Sequence, residues 1–416
     1  MRRDAAISGC HFTGKLTGSE EIGGIVGSGS GITVSNCSSA GLISAPGAYN
    51  VGGIAGSAWE DSGTESEIEE CYSTADVSGA EYVGGIVGYL NDGSTVSACY
   101  STGDVSADGN GAGGIAGIVN GININRCYAT GYITGSDHVG GIVGYYSVYS
   151  GLSTIQNCIA LNYAVAAGSG ADYIYRVSYS AAGNYAWEDM TVLMGGSVYD
   201  GNTFGGATSV TMEDLKAATC WEAAGFTAEN GWTYTAGKLP ILTNTGGLQN
   251  SDLPLHIDPF PASAGTGTEA DPYLITEAVQ LAAVAKYVNS GTGSYASAYY
   301  ELQNDIDLGI IPQWEAIGIG KADSSCPHPF TGSFDGKGYE IRNMKICGLD
   351  NWYQGLFGYI GSGGIVKNVI LTNCDVTCQA DQTYMGGIAG YVEPGAAIER
   401  CTVSGSISGC SDVGGI

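Results

Sequence analysis

The tripeptide Gly-Gly-Ile starts at Gly23, Gly52, Gly84, Gly113, Gly140, Gly386 and Gly414. The steps are 29, 32, 29 and 27 residues in the first run and 28 in the last pair, with a further copy at Gly363 off this beat. Cysteines keep the same interval at Cys10, Cys37, Cys71, Cys99, Cys127 and Cys158, and again at Cys374 and Cys401. A near-constant period of this length marks stacked repeats, each of which buries its apolar residues only against its neighbours.

The surroundings of each cysteine decide what the repeat is made of. An aliphatic residue stands three positions before it (Ile7, Val34, Ile68, Val96, Ile124, Ile155, Leu371, Ile398). Another usually follows six positions after it (Leu16, Ile43, Val77, Val105, Ile133, Ile407). An offset of three cannot lie on one face of a flat strand, where only even offsets share a side. A helix would allow it, but Ser, Thr, Asn, Gly and β-branched residues fill these segments and are poor helix formers. Short strands joined by corners remain. The corner falls on the two residues before each cysteine, such as Ser35-Asn36 and Gln156-Asn157, where Asn tolerates left-handed backbone. Each unit of about 28 residues is then one turn of a coil, with equivalent residues about 4.8 Å apart in adjacent turns. The expected fold is all-β: a right-handed parallel β-helix (β-solenoid), in two solenoid modules with short helical caps. Aliphatics and cysteines form inward ladders, and Gly-Gly lies where the backbone turns tightly or approaches another turn. Tyr72, Tyr100 and Tyr128 each follow a cysteine and are expected to stack as an outer aromatic ladder.

The charge balance narrows the function classes. Asp+Glu number 41 against Lys+Arg 14, a net of 14 − 41 = −27, and charged residues are only 13% of the chain. Such a surface repels nucleic acid and anionic lipid. It suits an exported protein and could hold Ca²⁺. A hydrophobic share of 44% excludes a disordered chain, and the 69 glycines follow no Gly-X-Y period, which excludes collagen. No apolar run reaches the roughly 18 residues of a membrane-spanning helix. The opening MRRDAAISGC does not read as a signal peptide and SDVGGI stops inside a repeat, so both ends are expected to be cuts through a larger protein.

The pattern fades after Cys158 and returns late in the chain. Residues 1–165 read as the C-terminal part of a first solenoid and 166–250 as its C-terminal cap, since an open solenoid end must be covered. In that cap, Thr211 to Asp214 form a capping box that opens a short helix. Residues 251–270 read as a proline-rich linker, 271–345 as an N-terminal cap and first coils, and 346–416 as a second, truncated solenoid. Thr276 is the expected N-cap of a helix with Ala278, Leu281, Val284 and Val288 on one face.

Gly355-Leu356-Phe357-Gly358-Tyr359 resembles the core of the GLUG motif, and Gly84–Tyr89 and Gly386–Tyr391 are its variants. The series GTGTEADPYLI, LQNDIDLG and FDGKGY looks like the opening of the bacterial surface modules that carry this motif. Proteins with such modules are typically large, secreted or wall-attached and multi-domain. They include adhesin-like proteins, and some immunoglobulin A peptidases carry the motif outside their catalytic domain. The resemblance implies an extracellular scaffold and transfers no catalytic residues.

A search for chemistry finds little. His11, His138, His256 and His328 belong to no His-Glu-x-x-His helix, and no P-loop is present. Gly109 to Gly114 satisfy G-x-G-x-x-G, but the glycines belong to the repeat and no βαβ unit surrounds them. Asp76 and Asp104 each stand five residues after a cysteine and are expected about 5 Å apart, a spacing suited to a retaining glycosidase pair or a Ca²⁺ site. The next turn has Tyr132 there, so a solvated acidic face is the preferred reading. Counted from Asn304 as an EF-hand loop, Ile306 and Leu308 fall where oxygen ligands are needed, and they read as core. The 13 cysteines are read mostly as reduced core thiols, with Cys326 and Cys347 the favoured bridge.

No catalytic, cofactor-binding or metal-ligating residue is therefore assigned, and no cofactor, with Ca²⁺ left open. The expected function is a non-catalytic extracellular repeat scaffold of a bacterial cell-surface protein, in adhesion or as a stalk. The alternative is a carbohydrate-active β-helix enzyme or an accessory module of a secreted peptidase. Expected partners are glycans or proteins of a host or neighbouring cell, with no nucleic acid and no membrane insertion in this segment. The expected location is extracellular, at the cell surface or secreted.

Overall fold

Every aliphatic three residues before a cysteine in the first run pairs with its equivalent in the next turn. Ile7 is opposite Val34, then Ile68, Val96, Ile124 and Ile155 in unbroken parallel register. The aliphatics six residues after each cysteine form a second column, from Leu16 through Ile43, Val77, Val105 and Ile133, which continues to Val165, seven residues after Cys158. The fold is the expected β-solenoid, with 48% strand, 9% helix and about 13 turns among the described residues. A computed structural model of the chain describes residues 5–91, 93–147, 153–180, 182–199, 206–319, 328–347, 352–377, 384–409 and 411–416. These divide into two compact units, Met1–Leu253 and Pro254–Ile416.

In the first unit each turn contributes to three ladders. One contains Ile32–Ser35, Glu67–Glu69, Thr95–Ser97 and Asn123–Asn125; another contains Ala55–Trp59, Val87–Asn91 and Ala116–Asn120; the third is built on Ser38–Gly52 and Asp76–Gly84. The corner falls where the sequence places it. Asn36, Glu70, Ala98, Arg126 and Asn157 each precede a cysteine and have φ of 52, 47, 48, 54 and 56°. This is left-handed backbone, in which Asn is at home and the other side chains are held by the stacking on either side.

The Gly-Gly pair sits at a turn with no space for a side chain. A Cβ on Gly84 would lie 2.1 Å from the Val87 carbonyl oxygen, and one on Gly85 would lie 2.2 Å from that of Gly114. The cysteines point inward, with Cys37, Cys71, Cys99, Cys127 and Cys158 fully buried. Each is an unbridged thiol. Their sulfurs accept from the preceding turn, as in Cys37 N–H to Cys71 Sγ at 3.4 Å. Burial and its neighbouring thiols push Cys99 up, and burial does the same to Cys158. Cys347 is an exposed thiol; the bridge expected from it goes to Cys326, which lies outside the described residues.

The segment 166–250 departs from a simple cap. Coils continue through Ala164–Ala167, Tyr185–Trp187, Thr191–Met194 and Thr208–Val210, without the cysteine signature. Asn184 replaces the cysteine in the turn after Cys158, and its Oδ1 accepts the Cys158 N–H at 2.9 Å. From Thr211 the chain leaves the coil. The Thr211 capping box with Asp214 opens Met212–Lys216, and a second helical turn follows at Ala218–Ala223. The remainder runs back along the flank of the earlier turns.

The second unit repeats the plan on its own. Tyr273–Ile275, Tyr299–Leu302, Ser333–Asp335, Ile365–Lys367 and Ala397–Glu399 form one parallel ladder. Helix Ala278–Ser290 buries Ala278, Leu281, Val284 and Val288 as the spacing predicts. Its N-cap is Glu277, one residue beyond the expected Thr276, because Gln280 Oε1 accepts the N–H groups of both. The stretch read as a linker is packed: the Phe260 ring lies 4.5 Å from Tyr273 and 5.5 Å from Tyr295, and Gln280 donates to the Pro259 carbonyl.

Candidate functional surfaces

Tyr72, Tyr100 and Tyr128 follow inward cysteines and so point outward, and they stack as expected, at 5.0 and 4.8 Å between ring centroids. Contrary to an outer ladder, they are buried, at 3, 0 and 0% exposure. Trp221, Phe226 and Trp232 pack over Tyr128, at 6.0, 6.1 and 5.8 Å. The three hydroxyls donate to the Gly246 carbonyl, Gln249 Oε1 and the Pro240 carbonyl. A row of exposed phenols would leave large apolar faces in water, and the returning segment removes them. Periodicity could not disclose this, because the covering residues obey no repeat.

The carboxylates proposed as an acid pair are occupied in the fold. Asp76 Oδ1 accepts the Asp104 N–H at 3.0 Å, and Asp104 Oδ1 accepts the Tyr132 N–H at 2.8 Å. Desolvation raises the Asp104 carboxyl above its usual range, the Tyr132 N–H acts against this, and Asp76 adds to it. Tyr132 therefore receives the ladder instead of interrupting it. Ile306 and Leu308 are core residues, at 1 and 0% exposure. Asp307 between them is tied to Gly309 N–H, Asn343 Nδ2 and Arg342 Nε. Residues Asn110–Gly113 and Ala116–Asn120 are strands, so the G-x-G-x-x-G run opens no helix. Among the described residues, no group of three or more His, Cys, Asp or Glu could hold a metal ion, and no helix is long and apolar enough to cross a membrane.

What the sequence reading passed over is a second, open set of aromatics beside the Gly-Gly turn. In the first unit, Tyr82 precedes that turn and Tyr89 follows it. The register carries the Tyr89 column through Ile118 to Tyr145, and the Tyr82 column through Gly111 to His138. The Tyr82 and Tyr145 rings are 6.4 Å apart, and His138 lies 4.4 Å from Tyr145 and 4.7 Å from Tyr173. All are partly exposed, Tyr173 at 39%. His138 Nδ1 pairs with Asp137 Oδ2 at 2.9 Å.

The second unit has the same arrangement. Tyr353 stacks on Tyr384 at 5.3 Å before the turn, and Tyr359 on Tyr391 at 4.9 Å after it. Tyr353 also lies 5.2 Å from Tyr359. The signal was present in the sequence as the Tyr that ends Gly84–Tyr89, Gly355–Tyr359 and Gly386–Tyr391.

Residues 47–78 and 79–106 match the GLUG motif. Over 133 residues, 31% of this chain, it is 35% identical to a protein of Evansella cellulosilytica described as a Gly-rich membrane protein, of which the match covers 14%. Over 161 residues, 37% of this chain, it is 34% identical to halomucin of Haloquadratum walsbyi, of which it covers 2%. The chain thus spans a small part of these curated relatives. A crystal structure from Bacteroides ovatus, described as an immunoglobulin A1 protease, aligns with 57% of this chain and 75% of its own at 22% identity and a TM-score of 0.46. With the turns of the solenoid built on the matched residues, 47–106 form a GLUG-motif repeat region.

Proposed function

We propose that the chain is a non-catalytic repeat scaffold of a protein displayed outside the cell, acting in adhesion or as a stalk. One observation carries the reading: Asp76 and Asp104, the acidic groups best placed for chemistry, hold neighbouring turns together through main-chain N–H groups, and Asp307 is tied to the Gly309 N–H in its own turn and to Asn343 and Arg342 in the next. A carboxylate consumed in this way is a poor general acid or nucleophile. The GLUG match and relatives described as a membrane protein and a halomucin favour a surface location. The partners would be glycans or proteins of a host or neighbouring cell, because a net charge of −27 opposes nucleic acid and anionic lipid.

The test is binding of the purified chain to glycan and protein arrays, with and without Ca²⁺, with sugar release followed in the same samples. Saturable binding without release is expected. Release of product would overturn the reading and favour the β-helix enzyme.

A further inference from the structure

The column that holds Tyr82 has left-handed backbone throughout: Glu21, Asn50, Tyr82, Gly111 and His138 have φ of 49, 57, 56, 78 and 54°. Gly111 shows that glycine, which adopts this conformation without strain, is accepted there. Tyr82 and His138 occupy the strained position with side chains that enter no core, being partly exposed. Folding alone does not call for an aromatic ring at these points.

In the second unit Tyr353 and Tyr384 likewise precede the turn, though without left-handed backbone, and Tyr359 and Tyr391 follow it. Each strip is edged by carboxylates. Glu81 adjoins Tyr82 and, after desolvation, is the next cause of its raised pKa. Asp137 Oδ2 lies 2.9 Å from His138 Nδ1, and Glu393 accepts the Tyr359 hydroxyl at 2.6 Å.

We propose that these two tyrosine strips are binding platforms for a neutral polysaccharide chain. The proposal rests on the scaffold reading and names its ligand. The C–H faces of pyranose rings stack on phenol faces, which are apolar in the middle and polar at the rim. The phenol oxygens at the edge accept hydrogen bonds from sugar hydroxyls, while Asp137 and Glu393 are engaged by protein donors and hold the strips in place. In the second unit the rings of successive turns lie 5.3 and 4.9 Å apart, close to the advance of one sugar along an extended polysaccharide; in the first unit Ile118 and Gly111 intervene, so the aromatics of each column stand two turns apart. With 41 acidic and 14 basic residues, the chain is matched to an uncharged, donor-rich ligand and mismatched to sulfated or uronic polymers.

The experiment uses the whole 416-residue chain. Cellohexaose, chitohexaose, xylohexaose and mannohexaose are titrated in by calorimetry, with heparin as the anionic comparison. The variants are Tyr82→Ala with Tyr145→Ala, Tyr359→Ala with Tyr391→Ala, and the same pairs changed to Phe. Tyr339→Ala, outside the strips, is the control. At least one neutral hexasaccharide is expected to bind; an Ala pair should weaken it about tenfold or more, and the Phe pair should stay within about threefold because stacking survives. Tyr339→Ala should leave binding unchanged. If an Ala pair fails to fold by circular dichroism, Tyr173→Ala and Tyr391→Ala alone, both at exposed positions, carry the test.

Preference for heparin, affinity unmoved by the Ala changes, or binding to arrayed protein with no sugar bound would each overturn the platform and leave the scaffold reading standing. Chromatography of the same samples for shortened sugar scores the scaffold reading separately.

Discussion

The Tyr128 ring lies 4.8 Å from the Tyr100 ring and 3° from parallel to it. Main-chain register sets this geometry, because Tyr100 is directly opposite Tyr128 in adjacent turns. The rings then offer one continuous apolar strip, onto which Trp232, more than 100 residues further along the chain, packs at 6.2 and 5.8 Å.

Tyr100→Ala removes the middle of this stack and one of the two donors to Gln249 Oε1, leaving only the Leu242 N–H. A loss of about 3 kcal/mol is expected, the range for deleting a large buried aromatic. Residues 211–250 should become cleavable by trypsin at Lys216 or Lys238 while the coils persist, since the segment has lost the surface it packs on. Limited proteolysis with mass mapping checks this.

The cysteine ladder predicts a division in thiol chemistry. Only the thiolate reacts with iodoacetamide. Cys99 and Cys158 are fully buried and their thiols are pushed up by that burial, whereas Cys10 and Cys347 are exposed. In the native protein at pH 8, Cys10 and Cys347 should be labelled and Cys99 and Cys158 spared until denaturant is added. Peptide mass spectrometry would contradict this if Cys99 were modified at a similar rate.

Gly84→Ala places a Cβ 2.1 Å from the Val87 oxygen, 2.7 Å from the Gly117 nitrogen and 2.8 Å from the Ile115 oxygen. All three are backbone atoms, so no rotamer change gives relief. A destabilisation of about 3 kcal/mol is expected. Gly170→Ala, with no atom within 4 Å, should stay within about 0.5 kcal/mol. Guanidinium denaturation of both variants against the parent chain makes the comparison.

In the second unit, two carboxylates predict an acid limb. The Gly309 N–H, Asn343 and Arg342 hold Asp307 below the usual carboxylate range. Burial would raise Asp335, but Asn368, the Lys337 N–H, Lys367 and Lys337 prevail and lower it. A carboxyl depressed in the fold contributes stability that is fully present above its unfolded value, near 3.9, and is lost as pH falls through the folded one. Protection of amides in residues 299–319 and 328–346 should therefore hold from pH 7 to about 4.5 and decline at lower pH. Asp307→Asn should shrink that decline, as measured by hydrogen exchange.

The coil, its corner and its inward ladders were legible because each is written in every turn: an aliphatic, two corner residues, a cysteine. The turns past Cys158 were harder to read, since Asn184 makes the same inward contact with a different side chain and the Gly-Gly signature is gone. The fate of Tyr72, Tyr100 and Tyr128 was not legible at all. Local pattern says only that they point away from the core, and what covers them is fixed by Trp221, Phe226 and Trp232, which follow no period. Tyr89, Tyr359 and Tyr391 lay within the quoted motif, but facing rings across a turn is a fact of register, which the sequence supplies only once the turn is placed.

The returning segment 211–250 also changes how the first unit can carry load. A bare stack of turns is held only by neighbour-to-neighbour bonds and gives way one turn at a time from its end. Here Pro240, Gln249 and Gly246 are fastened to Tyr128, Tyr100 and Tyr72 in three successive turns, and Thr245 is fastened to Glu70 beside them. Tension along the axis is shared through this tie, so these three turns must yield together and not one at a time.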